Sequence, residues 1–150
     1  MRVDAVVREQ LPALAVLFEE LSGLPTARDR LAAVFATMAE DPDYHLLGAT
    51  EGATLAGALL GVVCLDCVGD CRPFMVVENV IVAAPFRRRG VGRLLLEEIE
   101  RRARLRDCFY VMLTSGRDRT DAHAFYGALG YAATAGFKKR LERGPGSYSQ

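Results

Sequence analysis

The sequence has no excess of charge of either sign. Nineteen Lys and Arg cancel 19 Asp and Glu, so no global field draws the chain to nucleic acid or to an anionic membrane. A long apolar run is missing too. The longest nearly uninterrupted stretch, Ala53 to Leu65, contains two glycines and falls short of the roughly 20 residues of a membrane-spanning helix. The first residues lead into a strand-like stretch without the apolar core and small-residue cleavage site of a secretory signal, and a cytoplasmic location is expected. Cysteines are few, at Cys64, Cys67, Cys71 and Cys108. Cys64 and Cys67 have C-x-x-C spacing, but no second pair follows at zinc-site spacing, so free thiols and no metal are expected. With no internal repeat or linker in 150 residues, one domain over 1–143 is expected, with a disordered Gly/Pro/Ser tail at 144–150.

What is present is a change of hydrophobic period along the chain. Val3 to Val7 reads as a strand, followed by Leu11, Leu14, Leu17, Phe18 and Leu21 at helical spacing up to Gly23. Leu31, Val34, Phe35 and Met38 mark a second helix, ended by Asp41-Pro42-Asp43. Tyr44 to Ala49, Leu55 to Leu65 and Phe74 to Val82 form an antiparallel meander. Gly90 to Leu105 carries a stripe of Val91, Leu95, Ile99 and Ala103. Its charged face has Glu97/Arg101, Glu98/Arg102 and Glu100/Arg104 in the favourable acid-first order. Cys108 to Leu113 is a strand parallel to Phe74–Val82, because a helix separates them. Thr120 or Asp121 caps a helix that Gly130 ends, and Tyr131 to Leu141 supplies the last strand. The predicted order is β-α-α-β-β-β-α-β-α-β in one mixed, mostly antiparallel sheet with helices on both faces, an α/β fold of α+β type.

The most informative segment is Arg87-Arg88-Arg89-Gly90-Val91-Gly92-Arg93, an R-x-x-G-x-G pattern between a strand and a long helix. A helix start presents amides without intrahelical partners and the positive end of the dipole. Gly90 and Gly92 allow close approach of a diphosphate, and Arg87, Arg88, Arg89 and Arg93 can add charge-assisted hydrogen bonds. A P-loop is excluded because no G-K-[ST] follows. A Rossmann turn fits poorly because three antiparallel strands precede the site.

Glu78-Asn79-Val80-Ile81-Val82-Ala83-Ala84-Pro85-Phe86 and the following Arg87 to Leu96 resemble the acetyl-CoA-binding motif of the GNAT superfamily of N-acetyltransferases. Ala122 to Tyr131 resembles the family's late helix-to-strand segment, so the resemblance spans nearly the whole chain. It implies that Val80, Ile81 and Val82 offer backbone groups to the pantetheine arm. It also implies that the amides of Arg88 to Arg93 hold the pyrophosphate of acetyl-CoA.

An alkylamine, protonated up to a pKa of about 10, must lose a proton before it attacks a thioester, and the departing thiolate gains from receiving one. The resemblance implies Tyr126 as the acid, from the F-Y-x-x-x-G pattern; packing in the core is the structural alternative. Glu78, a carboxylate in an otherwise apolar strand, is the expected base, since partial burial would suit it to proton transfer. A bulge, common in the family near this place, would redirect it. The alternative is a polar residue on an open strand face. His123 is a rival base, and His45 is given no role. Many relatives have an asparagine seven residues before the tyrosine, where this chain has Arg119. The expected reaction is direct transfer to a primary amine, of a small molecule in preference to a protein or peptide. A silent acyl-CoA sensor is the alternative of another class, and a homodimer is expected from the resemblance and from base rates.

Overall fold

The computed structural model describes residues 1–139 and Leu141. The described residues form two compact units, one of residues 1–113 and one of the described residues from 114 onward.

The first unit is built on a five-stranded sheet in the order β1-β2-β3-β4-β5. β1 (Arg2–Ala5), β2 (Tyr44–Glu51), β3 (Thr54–Cys64) and β4 (Phe74–Val82) pair antiparallel, and β5 (Val111–Leu113) pairs parallel to β4. The antiparallel meander follows from short turns, and the parallel pair from the helical crossover between its strands.

Three helices cover the two faces. α1 (Leu11–Ser22) ends at Gly23, whose φ of 70° is the left-handed conformation that closes a helix. Its Leu11, Leu14 and Leu17 join Val6, Leu55, Ala58 and Ile81 in a buried cluster. α2 (Arg28–Glu40) buries no residue fully, and Leu31 and Phe35 rest on the rim of that cluster. α3 (Val91–Leu105) buries Val91, Leu95, Leu96, Ile99 and Ala103. It packs closely on β3, where a Cβ at Gly57 would stand 2.7 Å from the Ile81 carbonyl and 3.2 Å from Val91. Gly57 and Ala58 are adjacent in a strand and so point to opposite faces. α1 and α3 therefore lie on opposite sides of the sheet, as the sequence predicts.

The second unit contains α4 (Thr120–Ala128), followed by Gly130 at φ 89°. Arg119, not Thr120 or Asp121, is its N-cap, and no side chain caps the helix. The expected strand Tyr131–Leu141 does not form over the described residues, 131–139 and Leu141. Half of its apolar residues are alanines, Ala132, Ala133 and Ala135, which offer a sheet little to pack, and Phe137 is fully exposed. The tail at 144–150 lies outside the described residues. β5 is also shorter than the predicted Cys108–Leu113. The Cys108 amide bonds the Ala103 carbonyl at the end of α3, while the Phe109 amide already bonds the Pro73 carbonyl in the register of β4 and β5, so only the first of the predicted residues is tied to the helix.

Of the three expected helix pairs, Glu98–Arg102 (2.8 Å) and Glu100–Arg104 (3.1 Å) form. Glu97–Arg101 does not. Arg101 turns to Glu98 at 2.8 Å, and Glu97 lies 3.9 Å from Arg93. With two guanidiniums on one carboxylate, Glu98 titrates well below the usual range, at about 2, chiefly through its hydrogen bond from Arg101.

Candidate acetyl-CoA site at the junction of β4 and α3

Two features of β4 open the site. Its parallel ladder to β5 covers Met75↔Val111, Val76↔Met112 and Val77↔Leu113 and then stops. From Glu78 to Val82 the strand keeps only β3 as a sheet partner among the described residues. A bulge follows: Leu60 pairs with Glu78 and Ala58 with Ile81, so Leu59 faces both Asn79 and Val80. Asn79 takes the left-handed conformation, φ 56°, which asparagine tolerates better than most residues.

Beyond the bulge, the Ala83 amide bonds the Ala56 carbonyl at 2.9 Å. By antiparallel alternation Ile81 then turns its polar groups toward β3, and Val82 turns its own to the open edge. The Val82 carbonyl accepts there from Arg87 Nε at 3.1 Å. The three residues expected to line a pantetheine arm thus border an unpaired strand edge.

A short 3₁₀ turn, Ala84–Phe86, leads into the arginine segment. Arg88 (φ 60°) and Gly90 (φ 83°) are both left-handed, which curls the backbone into a concave run of amides suited to an anion. The first bond closing α3 runs from the Leu94 amide to the Gly90 carbonyl at 3.1 Å, and no side chain caps the helix. The amides of Arg88, Arg89, Gly90, Val91, Gly92 and Arg93 take no protein acceptor among the described residues. They stand at the positive end of a 15-residue helix. Unmet donors, fixed positive potential and cationic side chains fit the diphosphate of coenzyme A.

Glu78 is exposed, so the expected partial burial is not met, and it has no partner among the described residues. It shares a sheet face with its partner Leu60 and with Ala58, the side covered by α1. In the second unit, Tyr126 is half-buried on α4, its ring 5.3 Å from Phe125 and 6.0 Å from Tyr131. Burial pushes its phenol above the usual range against the opposing charge of Arg119, which keeps it protonated at neutral pH. His123 is exposed on the same helix. His45 is held below its usual range by burial first and then by Arg102 and Arg106, and its Nε2 is buried without a partner among the described residues. The four cysteines are free thiols. No helix among the described residues is long and apolar enough to cross a membrane.

The bulge that the resemblance implies near Glu78 is present, with Asn79 in the left-handed conformation within it. Two features escape the sequence pattern: Glu20 and Glu51 pair with Arg87 and Arg89 across 67 and 38 residues of chain. Nothing local signals them.

Comparison with known proteins agrees with this geometry. A protein of Agrobacterium tumefaciens str. C58, provisionally described as an acetyltransferase, superposes with a TM-score of 0.87 at 28% identity, over 94% of this chain and 100% of that one. Glucosamine-6-phosphate N-acetyltransferase from Arabidopsis thaliana shares the fold, with a TM-score of 0.83 at 14% identity over 93% and 97% of the two chains. So does AAC(6')-Iy, solved with the bisubstrate analogue CoA-S-monomethyl-acetylneamine, with a TM-score of 0.81 at 19% identity over 95% and 97%. No curated protein sequence matches the chain. Residues 11–131 match the acetyltransferase (GNAT) family, whose acyl donor is acetyl-CoA, and the chain belongs to that family.

Proposed function

We propose that the protein moves an acetyl group from acetyl-CoA to a primary amine of a small molecule, by direct transfer within a ternary complex. The observation that carries this reading is the run of unpartnered amides at the start of α3, next to a β4 edge that β5 leaves unpaired. Small amines are favoured as acceptors because the fold is shared with an enzyme named for glucosamine-6-phosphate and with one solved bound to a neamine conjugate.

In this reading the turn from Arg88 to Arg93 holds the diphosphate, and Val80 to Val82 align the pantetheine arm. The amine nitrogen attacks the thioester carbonyl, forming the C–N bond as the C–S bond breaks. A backbone N–H near Val80 polarises that carbonyl. Glu78, through a water because it is exposed, accepts the proton the amine must lose. Tyr126 returns a proton to the sulfur, an assignment supported by its place in the family motif and by its protonated phenol.

The test is release of free thiol from acetyl-CoA across a panel of aminoglycosides, amino sugars, polyamines and peptide amines. Turnover on small amines is expected. The exposure of Glu78 favours one rival, an acyl-CoA-binding domain without turnover, and saturable binding with no thiol release on any amine would establish it.

A further inference from the structure

The four arginines of the turn are not equivalent. Arg87 donates to the Val82 carbonyl and pairs with Glu20 of α1. Arg89 pairs with Glu51, at the end of β2, at 2.8 Å, and its guanidinium lies 5.2 Å from the Phe86 ring centroid. Arg93 is 3.9 Å from Glu97, one helical turn on. Arg88 is exposed, left-handed and without a partner among the described residues. Two carboxylates from separate elements thus take the guanidiniums of Arg87, just before the amide run, and of Arg89, within it.

A carboxylate and a diphosphate compete for the same donors, because both are anionic acceptors that match the guanidinium fork. We propose that Glu20 and Glu51 are positioning residues that hold Arg87 and Arg89 off the diphosphate. The grip is then left to the amides of residues 88–93 and to the side chains of Arg88 and Arg93. Each carboxylate also sets a negative charge beside the anion site and so weakens the hold on any diphosphate. Free coenzyme A carries the same diphosphate as acetyl-CoA, so this restraint speeds product release. The Glu20–Arg87 pair additionally ties α1 to the turn, which joins the helix on the Glu78 side of the sheet to the cofactor side.

Both pairs are partly solvated, with side-chain exposures of 53% and 38% for Arg87 and Glu20, and 48% and 45% for Arg89 and Glu51. Neither pair adds much to folding. Substitution should therefore alter binding without altering the melting temperature.

The inference rests on the turn being the cofactor site, and the experiment separates the two. Calorimetric titrations of the whole protein use acetyl-CoA and S-acetylpantetheine, which lacks the phosphates, at low and high salt. Glu20→Gln and Glu51→Gln should each tighten acetyl-CoA binding about three- to tenfold and steepen its salt dependence. Neither should change the affinity for S-acetylpantetheine. Arg88→Ala should weaken acetyl-CoA about tenfold or more and leave S-acetylpantetheine unchanged. An unchanged or weaker acetyl-CoA affinity in either glutamine variant overturns the role of that carboxylate, and an equal gain for S-acetylpantetheine does the same. Wild-type protein that binds no acetyl-CoA overturns the cofactor site together with this inference.

Discussion

At the scale of single residues, the site divides by how local its determinants are. Gly90 is legible because a position without a Cβ lets a diphosphate approach, and its backbone adds a second reason, φ 83° with open space around the missing Cβ. Gly90→Val should therefore lose stability from backbone strain alone, by about 1–2 kcal/mol. By tilting the amides it should also weaken acetyl-CoA binding at least tenfold, read by thermal melts and calorimetry. Tyr126 is legible only through its motif, and its role separates cleanly from packing. Tyr126→Phe keeps the ring between Phe125 and Tyr131 while removing the proton, so kcat should fall by a factor of about 10² or more with little change in melting temperature. Glu78 was the harder residue. A carboxylate in an apolar strand suggests burial, but Glu78 is exposed, just past the last β4–β5 pair at Val77. The end of β5 at Leu113 is where the sequence puts it, but strand bounds alone do not say how far a side chain on the next residue is covered.

At the scale of elements, the parts fixed by hydrophobic period appear where the sequence puts them. α1 stops at its cap Gly23, α2 at its cap Asp41, and β4 has its predicted bounds. The start of β5 differs because the Cys108 amide is held by the Ala103 carbonyl at the end of α3, a helix-end tie that hydrophobic period does not report. The bulge in β4 is the element-scale feature with most consequence, since it changes the strand's register between Glu78 and Ile81. Because Asn79 occupies φ 56°, Asn79→Gly should be nearly neutral in stability and activity. Asn79→Val should cost about 1–2 kcal/mol and lower kcat/KM more than it lowers acetyl-CoA affinity, since it disturbs the strand beside the reacting atoms and spares the phosphate turn. Equal effects of the two substitutions in chemical denaturation and steady-state kinetics would mean that the left-handed residue does not set the register.

For the whole molecule, the titrating groups define a pH window of stability with two acidic steps and one basic limb. His45 is held below its ordinary 6.5 by burial. The unfolded chain takes up this proton before the folded one, so the contribution of His45 is complete above pH 6.5 and is lost as pH falls through the folded value. Glu98, lowered from 4.5 to about 2, acts in the same direction lower down. Its contribution is complete above pH 4.5 and is gone near pH 2. Cys108 and Tyr126 are raised by burial from 9.0 and 10.0, so the folded chain keeps those protons longer and loses stability as pH rises past 9. Melting temperature should accordingly plateau between pH 6.5 and 9 and fall on both sides. Calorimetry across pH 2 to 10 can assign the acidic limb by substitution. His45→Gln should flatten the shallow decline just below pH 6.5 and leave the steeper one. Glu98→Gln should lower stability at pH 7 by about 1 kcal/mol, the order expected for a partly solvated helix cluster, and should match the wild type near pH 2, where the carboxylate is already half-neutralised and its pairing with Arg101 and Arg102 is failing.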